Sequence, residues 1–498
     1  MIVIERCCKS TIYGWCSSQG NLYSDNAGNK YCIFHYPIEL RKQSSLQDKF
    51  GKEVKNHIAT SRKLSGCHID FEVIFPPSPY PNYFDFKDCI FDYPIELNGF
   101  PLESFDASNA ILNGLLLDNS SVKGAIFDKT KLRGKTSFKD CHFSSSVTFN
   151  NVEYDSLDFN RARFDNDVRF NSLLRIDYNS FYSDEALADV NFLDIIVDSN
   201  AKIVFYSSIL KNAAFKPRGD GYIEFHQGKL KNVSFIDANI SHCAFFGVDL
   251  SECFFFGADL SNARFFDCSF KKERTFFAKR IVLFEEEFVS NKPKYESQKY
   301  KAYFNETIYK YFTNSNLEET YCAFKNNFED NKLYNIADEF HYGEMEMKNG
   351  KIALEKYQGK GVGNNLLKNL RLKLIIPLRA KVFTIYAWYK YISGYGTSYQ
   401  RAFVSILMSL FVFTMLYMFS GLPNIKYEVG MPSNLSVLLK DFWASLFYSL
   451  YFVISPNSFR EIVPTASSLT KAVFILELIL IWTQFSLFIL ALRRHFKR

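Results

Sequence analysis

The stretch FFGADLSNARFFDCSF, residues 255–270, places a large apolar residue at every fifth position. The same spacing runs without interruption through Phe225, Leu230, Phe235, Ile240, Phe245, Leu250, Phe255, Leu260, Phe265 and Phe270. A second series of mostly small residues stands two positions earlier, at Ile223, Gly228, Val233, Ala238, Cys243, Val248, Cys253, Ala258, Ala263 and Cys268. A period of five matches neither the 3.6-residue repeat of a helix nor the two-residue repeat of a strand. It predicts a coil in which each five-residue side turns a corner.

Four such sides make one turn of a square coil. The large residue fills the centre, the small residue fits beside it, and Asp, Asn, Ser and Gly occupy the corners. Successive turns stack through backbone hydrogen bonds about 4.8 Å apart. An earlier tract follows the same rule with single-residue insertions, at Phe86, Phe91, Leu112, Leu117, Val122, Phe127, Leu132, Phe138, Phe143, Phe149, Tyr154, Phe159 and Phe164. Residues 171–220 are irregular, and we interpret them as degenerate coils or as an excursion from the coil.

The five-residue pattern resembles the pentapeptide-repeat family, whose consensus is roughly A(D/N)LXX. The resemblance extends over residues 84–270 and implies a right-handed quadrilateral β-helix, a solenoid with a phenylalanine-rich core. The chain holds 52 Phe among its 498 residues, which agrees with that core. Some members of the family imitate duplex DNA, but residues 85–171 hold 14 acidic and 10 basic residues. So weak a negative field argues against DNA mimicry, and we expect no nucleic-acid partner.

The N-terminal segment, residues 1–50, concentrates Cys7, Cys8, Cys16, Cys32 and His35. The Cys-x2-His pair in YCIFH, with two upstream thiolates, can close a tetrahedral Cys3His site suited to structural zinc. A segment too small to form a hydrophobic core of its own would need a bound metal ion to stabilise its fold. The spacing does not decide between Cys7 and Cys8, and the alternative is a set of reduced core thiols.

The composition favours an intracellular, non-enzymatic chain. Most other Cys stand singly in apolar patterns, and the start MIVIERCCKS has too short an apolar run for a signal peptide. We therefore expect a reduced cytosolic location for most of the chain. The sequence shows no Ser-His-Asp set, no nucleotide-binding loop and no clustered acids in a plausible pocket, so we expect no enzymatic activity.

Residues 271–350 lose the five-residue period and predict a helical connector rich in Tyr, Lys, Glu and Asn. Residues 351–400 form a basic juxtamembrane segment, with Lys368, Arg371, Lys373, Arg379 and Lys381 among apolar residues, followed by aromatics such as Trp388. Basic groups meet anionic lipid and aromatic rings sit at headgroup depth, so this composition suits the surface of a lipid bilayer.

Residues 401–498 contain two apolar stretches long enough to cross a bilayer. Residues 402–425 carry no charge, and residues 472–492 carry only Glu477. Basic residues flank the outer ends of this pair, with Arg401 before it and Arg493, Arg494, Lys497 and Arg498 after it. The positive-inside rule places both ends in the cytoplasm and predicts a multi-pass protein of a plasma membrane, the inner membrane in the bacterial setting that we expect.

The intervening residues 436–453 are apolar after Asp441, too short there for a full span and too long for a loop, so we expect a re-entrant half-helix. The order of span, half-helix, loop and span resembles two-span potassium channels. ASLFYSLYFVISPNSFREIVPTAS resembles their pore helix and filter, with Ser449 at the pore-helix serine and Pro464 near the proline after the filter.

The filter segment departs from that resemblance. The corresponding residues are Ser455, Pro456, Asn457, Ser458, Phe459, Arg460 and Glu461, and none of them is glycine. A potassium filter needs glycines so that successive carbonyls can face the ion. We therefore expect weak selectivity or none for potassium.

Glu477 is an intramembrane charge, which commonly marks function. We expect it either to bond a neighbour behind the re-entrant loop or to be a neutral structural acid.

The leading interpretation is a homotetrameric channel-like pore whose cytosolic solenoid docks or senses an unknown protein partner. The alternative is a membrane-tethered scaffold for protein–protein interaction with a non-conducting anchor.

Overall fold

The computed structural model describes residues 6–18, 21–76, 82–175, 190–275, 278–290, 313–358, 385–422, 435–456 and 467–496. The chain forms two compact units. The first comprises residues 1–271 with 282–323, and the second comprises residues 272–281 with 324–498.

The first unit begins with short elements that precede the coil. They are helix α1 (Ser10–Tyr13), a 3-10 helix (Trp15–Ser18), the antiparallel pair β1 (Leu22–Ser24) and β2 (Lys30–Cys32), α2 (Ile38–Gln43) and α3 (Gln47–Thr60). Helix α3 buries Phe50, Val54 and Ile58, which are spaced by four residues and so share one face. The guanidinium carbon of Arg41, in α2, lies 3.6 Å from the centre of the Phe50 ring. Its Nη2 atom lies 3.7 Å from a carboxylate oxygen of Asp70, so the buried charge has two partners.

The rest of the first unit is a coil of parallel strands that makes about nine turns. Most strands pair with the strand one turn later, about 20 to 22 residues further along the chain, as His68 with Ile90 and Lys229 with Asp249 show. The strands are β3 (His68–Ile69), β4 (Asn82–Asp85), β5 (Ile90–Phe91), β6 (Ile95–Glu96), β7 (Pro101–Asp106), β8 (Ile111–Leu112), β9 (Leu115–Leu116), β10 (Ser121–Val122), β11 (Ala125–Ile126), β12 (Lys131–Ser137), β13 (His142–Phe143), β14 (Val147–Asn150), β15 (Glu153–Asp158), β16 (Arg163–Phe164), β17 (Val168–Asn171), β18 (Leu174–Arg175), β19 (Val190–Val197), β20 (Lys202–Tyr206), β21 (Ile209–Lys211), β22 (Ala213–Arg218), β23 (Tyr222–His226), β24 (Lys229–Ser234), β25 (Cys243–Phe246), β26 (Asp249–Phe254) and β27 (Arg264–Phe266).

The centre of the coil holds two columns of stacked phenylalanine rings. One column runs through Phe127, Phe149, Phe170, Phe205, Phe225, Phe245 and Phe265, with ring centroids 4.7 to 5.1 Å apart. The other runs through Phe138, Phe159, Phe192, Phe215, Phe235 and Phe255, with centroids 4.8 to 5.4 Å apart. The columns meet edge to face, as at Phe205 and Phe215, where the ring planes are perpendicular. The predicted inward series from Phe225 to Phe270 is buried throughout, which confirms the expected solenoid.

One corner of the coil contains a left-handed residue in every turn from the second onward. These residues are Asp88, Asn109, Lys129, Asn151, Ser172, Ser207, Gln227, Gly247 and Asp267, with φ between 48° and 62°. The N–H of each of the first eight donates to a carbonyl of the next turn, as Asn151 does to Asn171. The corner therefore turns the chain sharply without leaving a backbone donor unpaired. Only one of the nine is glycine, because the hydrogen bonds offset the small cost of a left-handed residue.

The strand ladder differs from the sequence expectation in two places. It begins at His68, one turn before residue 84, because β3 pairs with β5. Between Leu174 and Ile209 one turn is longer than the others, and residues 176–189 within it lie outside the described residues. Strands β19 to β22 continue the stack, so residues 190–218 belong to the solenoid.

Helix α4 (Phe284–Ser290) covers the last turn of the coil. Phe284 and Phe288 pack on Phe254 at 4.9 and 5.1 Å. The Glu285 carboxylate is fully buried and accepts the backbone N–H of Phe255, while its other oxygen has no partner among the described residues. This helix therefore satisfies a backbone donor at the end of the stack.

In the part of the chain that the structure describes, the second unit contains the antiparallel strands β28 (Lys272–Thr275) and β29 (Ala278–Ile281) and most of six helices. The helices are α5 (Asn314–Asp330), whose first residues belong to the first unit, α6 (Tyr334–Gln358), α7 (Ile385–Ser393), α8 (Tyr399–Ser420), α9 (Leu435–Ile454) and α10 (Ser468–Phe496). Helices α5 and α6 pack through stacked rings of Phe324, Phe328 and Phe340, as expected for a helical connector.

Replacing Glu285 with Gln should remove a pH dependence of stability. Burial raises the pKa of Glu285 from 4.5 to about 7, so the folded chain holds a proton that the unfolded chain releases. The stability due to this group is complete below pH 4.5 and is lost as the pH rises through 7, with a loss of about 2 kcal/mol between pH 5 and 8. Urea unfolding of the whole chain in detergent, read by hydrogen exchange at residues 250–256, should show that slope in wild type and not in Glu285→Gln. Glu287→Gln, in the same acidic run, is the control and should keep it; equal slopes in all three chains would contradict the prediction.

Candidate metal centre and the buried glutamate of the apolar helices

Cys7, Cys16, Cys32 and His35 converge in a buried cluster of the N-terminal elements. Cys7 precedes α1, Cys16 lies in the 3-10 helix, and Cys32 ends β2. His35 follows in a turn whose backbone N–H donates to the Cys32 carbonyl. One donor atom from each of the four residues lies within 4.8 Å of the other three.

The tautomer of His35 is determined by its outer nitrogen. Nε2 lies 2.8 Å from the carbonyl oxygen of Ser65, which can only accept, so Nε2 carries the proton. The lone pair is then on Nδ1, which lies 3.2 Å from the Cys32 sulfur and 3.8 Å from the Cys7 sulfur. Burial lowers the pKa of His35, so the ring is neutral at pH 7. A neutral imidazole held by a backbone carbonyl is the usual state of a metal-bound histidine.

The structure distinguishes the two adjacent cysteines. Cys7 is 2% exposed and belongs to the cluster. Cys8 is exposed, and its backbone N–H donates to the Lys30 carbonyl. Cys8, a candidate ligand in the sequence, therefore lies outside the cluster. Three thiols and one imidazole fit the Cys3His donor set of a structural zinc site.

Glu477 lies at the centre of the three apolar helices α8, α9 and α10. Its carboxylate accepts a hydrogen bond from the Tyr417 hydroxyl at 2.5 Å and another from the Ser449 hydroxyl. All three residues are fully buried. Phe452 closes the cluster against Tyr417 and Phe474. Each carboxylate oxygen therefore has a donor, which is what a charge or dipole surrounded by apolar side chains requires.

Helices α8 and α10 form an antiparallel pair that is joined along its whole length. At one end Tyr399 contacts His495 with ring centroids 4.8 Å apart. In the middle Gln484 donates to Ser409 at 2.8 Å. At the other end the Thr470 hydroxyl donates to the Gly421 carbonyl at 2.9 Å. The chain therefore leaves α8 and enters α10 at the same end of the pair.

The opposite end of this pair is linked to helix α6. Arg494, in the last turn of α10, forms an ion pair with Asp338 at 2.8 Å. Lys390 of α7 and the Tyr395 hydroxyl both bond Glu346 at 2.8 Å. The end of α10 and the residues just before α8 are thus both attached to α6.

Helix α9 is longer than the half-helix expected from the sequence. It spans 20 residues from Leu435 to Ile454, because Lys440 and Asp441 lie within the helix instead of before it. Among the described residues, α8, α9 and α10 are the three helices long and apolar enough to cross a membrane. These helices indicate a membrane protein.

The structure describes part of the filter-like segment. Ser455 follows α9 directly and donates its N–H to the Tyr451 carbonyl, and Pro456 is exposed. Asn457, Ser458, Phe459, Arg460 and Glu461 lie outside the described residues, as do Pro464 and the basic residues 368–381.

Sequence reasoning identified Glu477 and Ser449 but missed Tyr417. In an uncharged run of 24 residues a tyrosine near the end reads as an interfacial anchor. A buried carboxylate needs two polar partners, so the sequence indicated that Glu477 has a second partner. Only the packing of the three helices shows that this partner is Tyr417.

Two solved structures are similar to parts of the chain. A trypsin-treated form of QnrB1, a plasmid-mediated fluoroquinolone resistance protein, is 15% identical and aligns over 36% of this chain and 90% of its own, with a TM-score of 0.21. HetL, a pentapeptide repeat protein involved in heterocyst differentiation regulation from the cyanobacterium Nostoc sp. strain PCC 7120, is 12% identical over 44% of this chain and 93% of its own, with a TM-score of 0.13. No curated protein shows significant similarity to the chain.

Replacing Tyr417 with Phe should loosen the helix cluster. The change removes one of two donors to a buried carboxylate, which costs about 1–3 kcal/mol of unfolding free energy. Thermal unfolding in detergent micelles measures the effect. Tyr451→Phe is the control because Tyr451 is 46% exposed on α9, and its midpoint should match wild type. Equal midpoints for the two variants would show that the Tyr417 hydroxyl contributes nothing.

A family model described as pentapeptide repeats (9 copies) matches residues 127–172. The uninterrupted five-residue series of residues 223–270 lies outside the matched range, but its strands stack in register on the same coil. The protein is therefore a membrane-associated protein that contains a pentapeptide-repeat solenoid.

Proposed function

We propose that the protein is an oligomeric pore whose α8–α10 pair spans the membrane. The segment between these two helices, which includes α9, enters the membrane and returns to the same side. The observation that supports this most is that α8 and α10 are antiparallel and in contact along their whole length. Because Gly421 and Thr470 are in contact, residues 422–467 begin and end on one side of the membrane.

Residues 422–467 as a whole therefore make no net crossing, although α9 itself runs parallel to α8, with Phe442 beside Phe411 and Phe452 beside Tyr417. A helix of 20 residues is about 30 Å long, so α9 reaches deep into the bilayer. The chain must then return to the starting side within the residues outside the helix. Irregular backbone is tolerated at membrane depth only where protein or a water-filled cavity surrounds it. We propose that several copies around an axis supply this cover.

The surface of α9 is consistent with such an assembly. Ser445, Ser449 and Phe452 are buried, whereas Trp443, Phe447, Leu450 and Ile454 form an apolar stripe that is exposed in the single chain. Only 17% of the apolar part of α9 is buried, compared with 33% of the apolar part of α8. We propose that neighbouring subunits cover this stripe, with four subunits as in the two-span channels that the sequence resembles.

The pore would discriminate weakly between monovalent cations. The segment after α9 begins with Ser455 and Pro456 and contains no glycine through Glu461. Side chains, not a cage of carbonyls, would then face the ion. The solenoid would act on the cytosolic side of a bacterial plasma membrane as the arm that docks a protein partner, because the basic ends of α8 and α10 favour the cytosol.

A non-conducting tether is the second candidate, and the absence of glycine from the filter-like segment favours it. In that case α8 to α10 only anchor the solenoid, and the protein is a scaffold for a cytosolic partner.

Subunit number and conductance separate the two candidates. For a pore we expect chemical crosslinking in membrane extracts to end at a tetramer, and the purified chain in planar bilayers to give unitary currents with similar potassium and sodium permeabilities. Glu477→Gln should lower the open probability because the carboxylate holds α9 in place. A monomer with no current in any preparation would leave the tether.

We also propose that the cluster of Cys7, Cys16, Cys32 and His35 holds a structural zinc ion. The support is the buried Cys3His donor set and the Nδ1 lone pair that Ser65 directs into it. The ion would fasten the N-terminal elements, whose hydrophobic core is small.

Metal analysis of two adjacent cysteine variants tests this assignment. The purified wild type and Cys8→Ser should each retain about one zinc per chain, because Cys8 lies outside the donor set. Cys7→Ser should lose most of the metal and become more sensitive to proteolysis within residues 6–60. Equal zinc in both variants, or none in wild type, would contradict the assignment.

A further inference from the structure

A cavity of about 250 Å³ opens at the end of the α8–α10 pair that faces helix α6. Its lining consists of Tyr389, Gly396, Leu490, Arg493 and Arg494. Leu490 supplies an apolar wall on the side of the membrane helix, and the two guanidinium groups stand one turn later, where the apolar run ends. The cavity therefore joins an apolar and a cationic surface at the end of a membrane helix.

The two arginines differ in how their charges are compensated. Arg494 is paired with Asp338 at 2.8 Å and lies 3.7 Å from Glu329. Arg493 is exposed and has no ion pair among the described residues. The cavity thus has one positive charge that the described chain leaves available for an anion.

Tyr389 and Gly396 keep the polar part of the cavity open. The Tyr389 hydroxyl has no hydrogen-bond partner among the described residues. Gly396 has a φ of 76°, and a Cβ there would lie 2.7 Å from the Tyr389 hydroxyl oxygen. Any other residue would therefore strain the turn and push the hydroxyl out of the cavity.

The position of the cavity selects the anion. Tyr399 and His495, the first and next-to-last residues of the paired helices, are in contact at this end, so the cavity lies at the depth of lipid headgroups. The anion that a bilayer presents at this depth is a phosphate group, and arginine and tyrosine donors match its oxygens. An apolar wall beside the cations suits the glycerol and first methylenes of a lipid better than a free ion.

We propose that this cavity binds the phosphate of an anionic lipid headgroup, with Arg493 as its ion pair and the Tyr389 hydroxyl as its hydrogen-bond donor. This inference rests on the proposed membrane insertion of α8 and α10 and does not require conduction. Because Arg494 lines the cavity while it bonds Asp338 of α6, an occupied cavity would also consolidate the link between α6 and α10.

Native mass spectrometry of the whole chain in detergent tests the site. The probes are phosphatidylglycerol and phosphatidylcholine with the same acyl chains, which differ in net charge. Wild type should retain phosphatidylglycerol in preference, Arg493→Gln should retain it about tenfold less, and Tyr389→Phe about threefold less, as expected for the loss of a charge-assisted and a neutral hydrogen bond.

Lys471→Gln is the matched control, because it removes a positive charge at the opposite end of the same helix. It should bind phosphatidylglycerol as wild type does. Equal retention by all variants, or equal retention of the two lipids, would overturn the proposal. Inorganic phosphate is the third probe; if it protects Arg493 from chemical modification while phosphatidylglycerol does not, the site takes a soluble phosphate and the lipid assignment is wrong. A chain that never conducts but shows the expected lipid preference would reject the pore and keep this site.

Discussion

The solenoid depends on one coincidence of distances. Parallel strands stack about 4.7–4.9 Å apart, and offset aromatic rings pack well at nearly the same separation. A phenylalanine at the same position of each turn therefore stacks on the next ring while the backbone ladder keeps its hydrogen bonds, as Phe149, Phe170 and Phe205 do at 4.7 Å. Two such columns meeting edge to face fill the interior, since flat rings in one column present their edges to the faces of the other. A Phe to Leu change in a column would keep the burial but lose the ring contact, so the aromatic excess reflects geometry as well as hydrophobicity.

Much of this fold was predictable from the sequence, because the coil places every fifth side chain inward and leaves a direct record of the core. Single-residue insertions did not conceal it, since the corners absorb them: Lys131 pairs with Ile111 twenty residues before it and with Glu153 twenty-two after it. The first turn was not predicted, because His68 begins β3 and a polar residue gives no five-residue signal. The cap α4 was not predicted either. Glu285 stands in the run FEEEF, where a buried acid cannot be told from its exposed neighbours until the end of the coil shows the free N–H of Phe255.

The sites were predictable as residue types and not as contacts. Four of the five candidate ligands meet, but which of the adjacent Cys7 and Cys8 is buried in the cluster is a matter of packing that no spacing rule contains. Glu477 was conspicuous as a charge in an apolar run, whereas its partner Tyr417 is 60 residues away and resembles any tyrosine near a helix end. Such pairs arise from helix packing, and local sequence carries little information about them.

Side chains from neighbouring elements satisfy backbone groups at both ends of the coil. A stack of parallel strands exposes unpaired backbone groups at both ends, which would recruit further strands if left open. At the N-terminal end the side chains of His35 and Trp15 bond the Ser65 carbonyl, and at the C-terminal end Glu285 takes the Phe255 N–H. On one lateral face of the coil, outward rings stack on one another along successive turns, in the order Tyr206, His226, Phe246 and Phe266, and the first and last of them are about half exposed. Recognition along such a face reads side chains spaced by one turn, so its specificity would come from the outward positions of the five-residue repeat and could change without disturbing the phenylalanine columns within.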